Sequence, residues 1–165
     1  MIPRSALLLA VALALAGCHR KEISTRDREE AANVLSEGEF AVTMKDWPRA
    51  EGLYAKAAEL APDRADTWMN LGIVRMRMNN PAGARSAYKS ALSAYNAHLD
   101  HEPGDSESVI RKAYVLVILG RPDDARAAVE QAQAQHPDDR RLRGFIENKG
   151  MDAMVADPGL KSISP

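Results

Sequence analysis

Apolar residues recur along this chain at intervals of three and four, and no segment alternates them one by one. That spacing predicts α-helices and no strands, so the expected class is all-α. Three stretches repeat one order of small and large side chains. They are Trp47-Pro48-Arg49-Ala50 with Tyr54 and Ala57, Pro81-Ala82-Gly83-Ala84 with Tyr88 and Ala91, and Pro122-Asp123-Asp124-Ala125 with Val129 and Ala132. In each, Pro stands in the first turn, where its missing N–H costs nothing. Small, large and small residues at i, i+4 and i+7 then share one helix face. The small ones admit a neighbouring helix, and the large one fills the gap between helices. A second helix precedes each stretch, most clearly at Trp68, Leu71 and Gly72. A last amphipathic helix is predicted from Asp138 to Asn148, with Leu142, Phe145 and Ile146 inside and Arg140, Arg141 and Arg143 outside. Residues 150–165 contain Asp157-Pro158-Gly159 and end in Ser164-Pro165; without a helical period they are expected to form a flexible tail.

The spacing of these residues resembles the tetratricopeptide repeat, a helix-turn-helix unit of about 34 residues. A first repeat, 31–64, places Val34, Gly38, Ala50, Tyr54, Ala57 and Pro62 on motif positions. A second, 65–105, does so with Trp68, Leu71, Gly72, Ala84, Tyr88 and Ala91, and a third, 106–139, with Val109, Ala113, Leu116, Ala125, Val129, Ala132 and Pro137. Glu37 and Lys112 depart from the pattern, standing where Leu is expected. The second repeat lacks its closing Pro until Pro103, about two helical turns late, so its second helix is predicted to run from Pro81 to about His101. The resemblance implies an α-solenoid of about three repeats over residues 26–149, closed by a capping helix at 138–149.

In that family the first helix of each pair lines a concave groove. Carried over by position, the lining is Ala32, Leu35, Glu39 and Val42, then Asp66, Met69, Ile73 and Met76, then Glu107, Ile110, Tyr114 and Val117. The resemblance thus implies an apolar groove with an acidic rim, suited to an amphipathic helix or extended apolar segment of a protein partner. Met69 and Met76 would let it adapt to more than one shape. A competing expectation is that the N-terminal helix or the tail covers some of these side chains. The family's two-carboxylate peptide clamp is not expected. Leu35, Glu39 and Glu107 stand where its Lys and Asn belong, and only Asn70 and Arg111 match.

Ahead of the repeats, Arg4 precedes an uninterrupted apolar run from Ala6 to Ala16. The run is too short for a permanent membrane span and fits a signal peptide. It ends Leu15-Ala16-Gly17-Cys18, which resembles the lipobox of bacterial lipoprotein precursors. That resemblance implies removal of 1–17, lipidation of Cys18, and a polar tether at 18–25. The single Cys leaves no intramolecular disulfide to form. For a Gram-negative host, His19 in place of Asp implies an outer-membrane anchor facing the periplasm.

Charged residues make up 27% and the formal net charge is −1, so the basic stripe that nucleic-acid binding calls for is missing. His98 and His101 lie near Asp100 and Glu102, but two histidines without a third fixed ligand do not define a metal site. Phosphate loop, nucleophile elbow and zinc-protease helix are all absent from the sequence. The chain is therefore expected to use no cofactor, metal or small-molecule substrate, and to be no enzyme. Small tetratricopeptide lipoproteins of this layout resemble pilus-biogenesis and secretion pilot proteins. That resemblance implies an adaptor that helps assemble or stabilise an envelope complex such as a type IV pilus or secretion system. The alternative is a lipoprotein that docks or regulates a peptidoglycan-remodelling enzyme.

Overall fold

A computed structural model describes residues 22–165. The calls at Leu15, Ala16, Gly17 and Cys18, and the start of the tether, lie outside the described residues. Among the described residues the chain is helical without strands. In chain order the helices are α1 (Thr25–Thr43), α2 (Trp47–Leu60), α3 (Ala65–Arg77), α4 (Pro81–His101), α5 (Ser106–Ile118), α6 (Pro122–Gln135), α7 (Arg140–Glu147), α8 (Gly150–Ala156) and α9 (Pro158–Ile163). The long helix α4 ends where the displaced Pro103 predicted.

Helices pack as hairpins, α1 on α2, α3 on α4 and α5 on α6, and each hairpin leans on the next through α2–α3 and α4–α5. The size pattern read from the sequence makes this close packing possible. A Cβ on Gly38 would sit 2.6 Å from the Tyr54 ring, and one on Gly72 would sit 2.3 Å from the Tyr88 ring. The third hairpin solves the same gap with Ala113 against the smaller Val129, both fully buried. Trp68 ties its hairpin to the preceding loop by donating from Nε1 to the Pro62 carbonyl at 2.9 Å. Between the first and second hairpins, Arg75 pairs with Glu51 at 2.8 Å and donates to the Gly83 carbonyl.

The turn inside each hairpin is built alike. Lys45, Asn79 and Gly120 take left-handed backbone, with φ of 58°, 57° and 75°. The following amides of Asp46, Asn80 and Arg121 then bond back to the carbonyls of Ala41, Arg75 and Leu116 at 2.8–2.9 Å. Lys45 is the misfit, since a Cβ there costs about 1 kcal/mol. Gly loses about 0.5 kcal/mol more chain entropy on folding. Lys45→Gly is accordingly expected to raise stability by about 0.5 kcal/mol, readable as a shift in urea midpoint at constant slope.

The two ends of the solenoid differ. Val74 and Val115 are buried between hairpins, whereas Phe40, at the matching position of the first hairpin, meets no preceding hairpin among the described residues and stays 59% exposed. At the other end α7 covers α5 and α6, as a capping helix should. Only Leu142 of its expected inner set is fully buried. Phe145 is half-buried over Gly150, and Ile146 turns to solvent.

The tail expectation is corrected. Residues 150–165 form α8 and α9, and both pack on the repeats. Met151 of α8 buries against α5 and α6, and Arg126 pairs with Asp152 at 2.9 Å. At the N-terminal side the helix begins at Thr25, the last residue of the stretch expected as a tether. Ser24 accepts from the Asp27 amide at 3.1 Å and caps α1 from Thr25 onward.

Candidate functional site

The first helices of the hairpins, α1, α3 and α5, carry the residues named for the groove, and the structure divides them into two groups. Leu35 and Val42 pack into the cluster of the first hairpin with Val34, Tyr54 and Leu71. Leu35 is buried there and is part of the core rather than an open lining; Ala32 and Glu39 are exposed. The second group lies together. Met69, Ile73 and Met76 of α3 and Tyr114 and Val117 of α5 are half-buried around one cluster. Ile110 joins them at one side, where Met69, Tyr95, Ile110, Arg111 and Tyr114 line a cavity of about 230 Å³.

The tail supplies what fills the rest. Helix α9 touches both α3 and α5, the two elements bearing the second group. Leu160 and Ile163 insert from it with 2% and 8% of their surface left exposed. A helix of six residues is unstable by itself, since isolated helices shorter than about 12–15 residues are marginal. Burial of two aliphatic side chains, each worth about 1.5–3 kcal/mol, is therefore what holds it. The Asp157 side chain accepts from the Gly159 amide at 2.7 Å and starts the turn, with Pro158 at its first position. Asp157 also raises the Tyr114 hydroxyl pKa, second to the burial of the ring.

The acidic rim is also corrected. Asp66 accepts from the Tyr95 hydroxyl at 2.5 Å and from Arg111 at 3.2 Å. Arg111 bonds Glu107 at 2.8 Å, and Arg141 of the capping helix reaches the other oxygen of Glu107. Two of the three acids are thus neutralised by arginines, in a chain that crosses from the second hairpin to the cap. Burial, then Asp66, pushes the Tyr95 hydroxyl well above its ordinary range. Arg111, one of the two matches to the carboxylate clamp, is engaged by these acids.

The histidines serve the scaffold. His98 pairs through Nε2 with Asp105 at 2.8 Å, and His98 and His101 line an outer cavity of about 640 Å³ beside Ile23 and Trp68. Among the described residues no three His, Cys, Asp or Glu gather into a metal-holding group. Asp105 caps α5, accepting from the Glu107 and Ser108 amides. The Ser108 hydroxyl first, then His98, holds its carboxyl below the usual aspartate range. A depressed folded value means the stabilisation is present above the unfolded pKa and lost as pH falls through the folded one. Asp105→Asn should therefore flatten the acid limb of a stability–pH curve and leave its neutral-to-basic limb parallel to that of the unchanged chain.

Reasoning from sequence missed Leu160, Ile163 and the Tyr95–Asp66–Arg111 link. The first two carried a signal, since an Asp-Pro start followed by aliphatics three apart is a helix opening with one apolar face. The link carried none, because its members are far apart in the chain.

Among the described residues no helix is long and apolar enough to cross a membrane. None of the curated proteins matches this chain. Among the solved structures similar to it, two at low identity are TPR domains. The Arabidopsis OM64 TPR domain is 16% identical, with a TM-score of 0.45, covering 76% of this chain and 97% of that one. The TPR2B domain of yeast Sti1, in a structure titled as its pHsp70 complex, is 18% identical, with a TM-score of 0.47, covering 82% and 97%. Sequence profiles of the tetratricopeptide repeat match residues 35–98 and residues 85–148. With helical hairpins stacked over the same span, the chain carries tetratricopeptide repeats from residue 35 to residue 148.

Proposed function

We propose that the chain is a lipid-anchored adaptor of the cell envelope, probing partner proteins with the concave side of α3 and α5. Tetratricopeptide domains generally mediate protein–protein interaction. The observation that carries the reading is the half-buried set Met69, Ile73, Met76, Tyr114 and Val117, gathered on one face and already engaged by two aliphatic side chains of the same chain. Apolar side chains of mixed shape, two of them methionine, suit a helical segment of a partner. A carboxylate-terminated peptide is a poorer guest, because Arg111 is already engaged by Asp66 and Glu107. The reading is non-catalytic and needs no cofactor.

The lipobox-like Leu15-Ala16-Gly17-Cys18 supports anchoring, in a Gram-negative host at the periplasmic face of the outer membrane. Cys18→Ser is expected to abolish incorporation of labelled palmitate and to move the protein from the membrane to the soluble envelope fraction; unchanged labelling would contradict the anchor. For the adaptor role, a pull-down from detergent-solubilised envelopes is expected to recover components of an assembly such as a pilus or secretion system. Recovery of none would count against it.

A further inference from the structure

The segment after α8 has two properties that together separate it from the core. Its hold on the groove is apolar and narrow, resting on Leu160 and Ile163, three residues apart on α9. Its polar bonds are nearly all internal: the Asp157 carboxylate takes the Gly159 amide, Ser162 donates to the Gly159 carbonyl, and Ser164 donates to the Leu160 carbonyl. One bond crosses to the repeats, from Arg85 to the Pro165 carbonyl at 2.7 Å. A unit that satisfies its own backbone and contributes two aliphatic anchors is built as a bound helical peptide is.

We propose that residues 157–165 are a groove ligand held in cis. The partner of this face is then a short helix carrying two aliphatic side chains three residues apart, which enters by displacing them. This rests on the reading of the concave face as the partner-binding surface. The methionines at 69 and 76 accept either occupant, since a flexible thioether repacks around a changed anchor. Tethering gives the segment a high effective concentration, so a partner binds with an affinity lowered by the small fraction of open groove.

The test uses the full chain and a fluorescent peptide of its own residues 155–165. A chain with Leu160→Ser and Ile163→Ser is expected to bind the peptide in trans at least tenfold more tightly than the unchanged chain. A peptide carrying the same two substitutions should not bind. A substituted chain that keeps its helical circular dichroism yet binds no better than the unchanged one overturns the proposal. Hydrogen exchange on the unchanged chain gives a second reading that needs no variant. Amides of α9 are expected to exchange at least a hundredfold faster than those of α3 and α5; equal protection makes the segment part of the core and overturns it. Photocrosslinking from Met69 in envelopes separates the two readings. Equal capture of a partner by both chains overturns displacement while leaving the adaptor reading intact. Capture by neither, with the peptide bound, retires the adaptor reading while the groove's ligand chemistry stands.

Discussion

Gly72→Ala is expected to destabilise the protein by about 2 kcal/mol, although Ala is the better helix former by about 1 kcal/mol. The new Cβ would meet the Tyr88 ring at 2.3 Å, and Tyr88 is fully buried with no room to turn aside. Overpacking of this kind costs roughly 1–3 kcal/mol or more, which outweighs the propensity gain. For a chain of this size the melting temperature should fall by roughly 4–8 °C. The third hairpin supplies the compensating change, because it pairs Ala113 with Val129. Tyr88→Val by itself should cost roughly 3 kcal/mol through the cavity it leaves. Combined with Gly72→Ala, it should cost at least about 1 kcal/mol less than the sum of the two. Additive losses would show that the small–large pairing is not what sets the hairpin spacing.

Leu142→Ala is expected to cost about 3 kcal/mol and to make the protein prone to association. Leu142 is the one fully buried side chain of α7, set among Val109, Leu116 and Val129 of the last hairpin. Truncating a buried Leu costs roughly 2–5 kcal/mol. Here the loss falls on an eight-residue helix whose place depends on that contact. Loosening it uncovers the outer face of the last hairpin, the surface a solenoid must cap to remain soluble. Light scattering during thermal unfolding measures this. A variant that melts at the same temperature without aggregating would contradict the capping role.

The sequence made the hairpins legible because their packing is written locally. Small and large residues recur at fixed spacing, so Ala50, Ala84 and Ala125 align before any coordinates are known. The end of α4 was legible for the same reason, through the displaced Pro103. Of the residues named for the groove, one group shares a cluster, and of the two expectations stated for their surroundings the tail covering some of them matches the packing of α9. Met69, Ile73, Met76, Tyr114 and Val117 do lie together, yet what occupies them comes from a segment whose two aliphatics sit among Pro, Gly and Ser. The Asp-Pro start and the two aliphatics three apart mark a short helix, but so short a helix gains most of its stability from the packing it finds on α3 and α5. The rim misled for a similar reason. Asp66 and Glu107 read as free acids, since Arg111 and Arg141 reach them only after the hairpins stack. Leu35 was misplaced because α1 packs this Leu inward, in one cluster with Tyr54 of α2 and Leu71 of α3.

One comparison tests the working surface most directly. A photoreactive residue is placed at Tyr114 on the concave side, and in parallel at Lys89 and Gln131 on the second helices of their hairpins, all three in the full chain within intact envelopes. The account predicts that Tyr114 joins a partner protein, and joins it more strongly when Leu160 and Ile163 are both replaced by Ser. Partner crosslinks from Lys89 or Gln131, with none from Tyr114 in either chain, would contradict it.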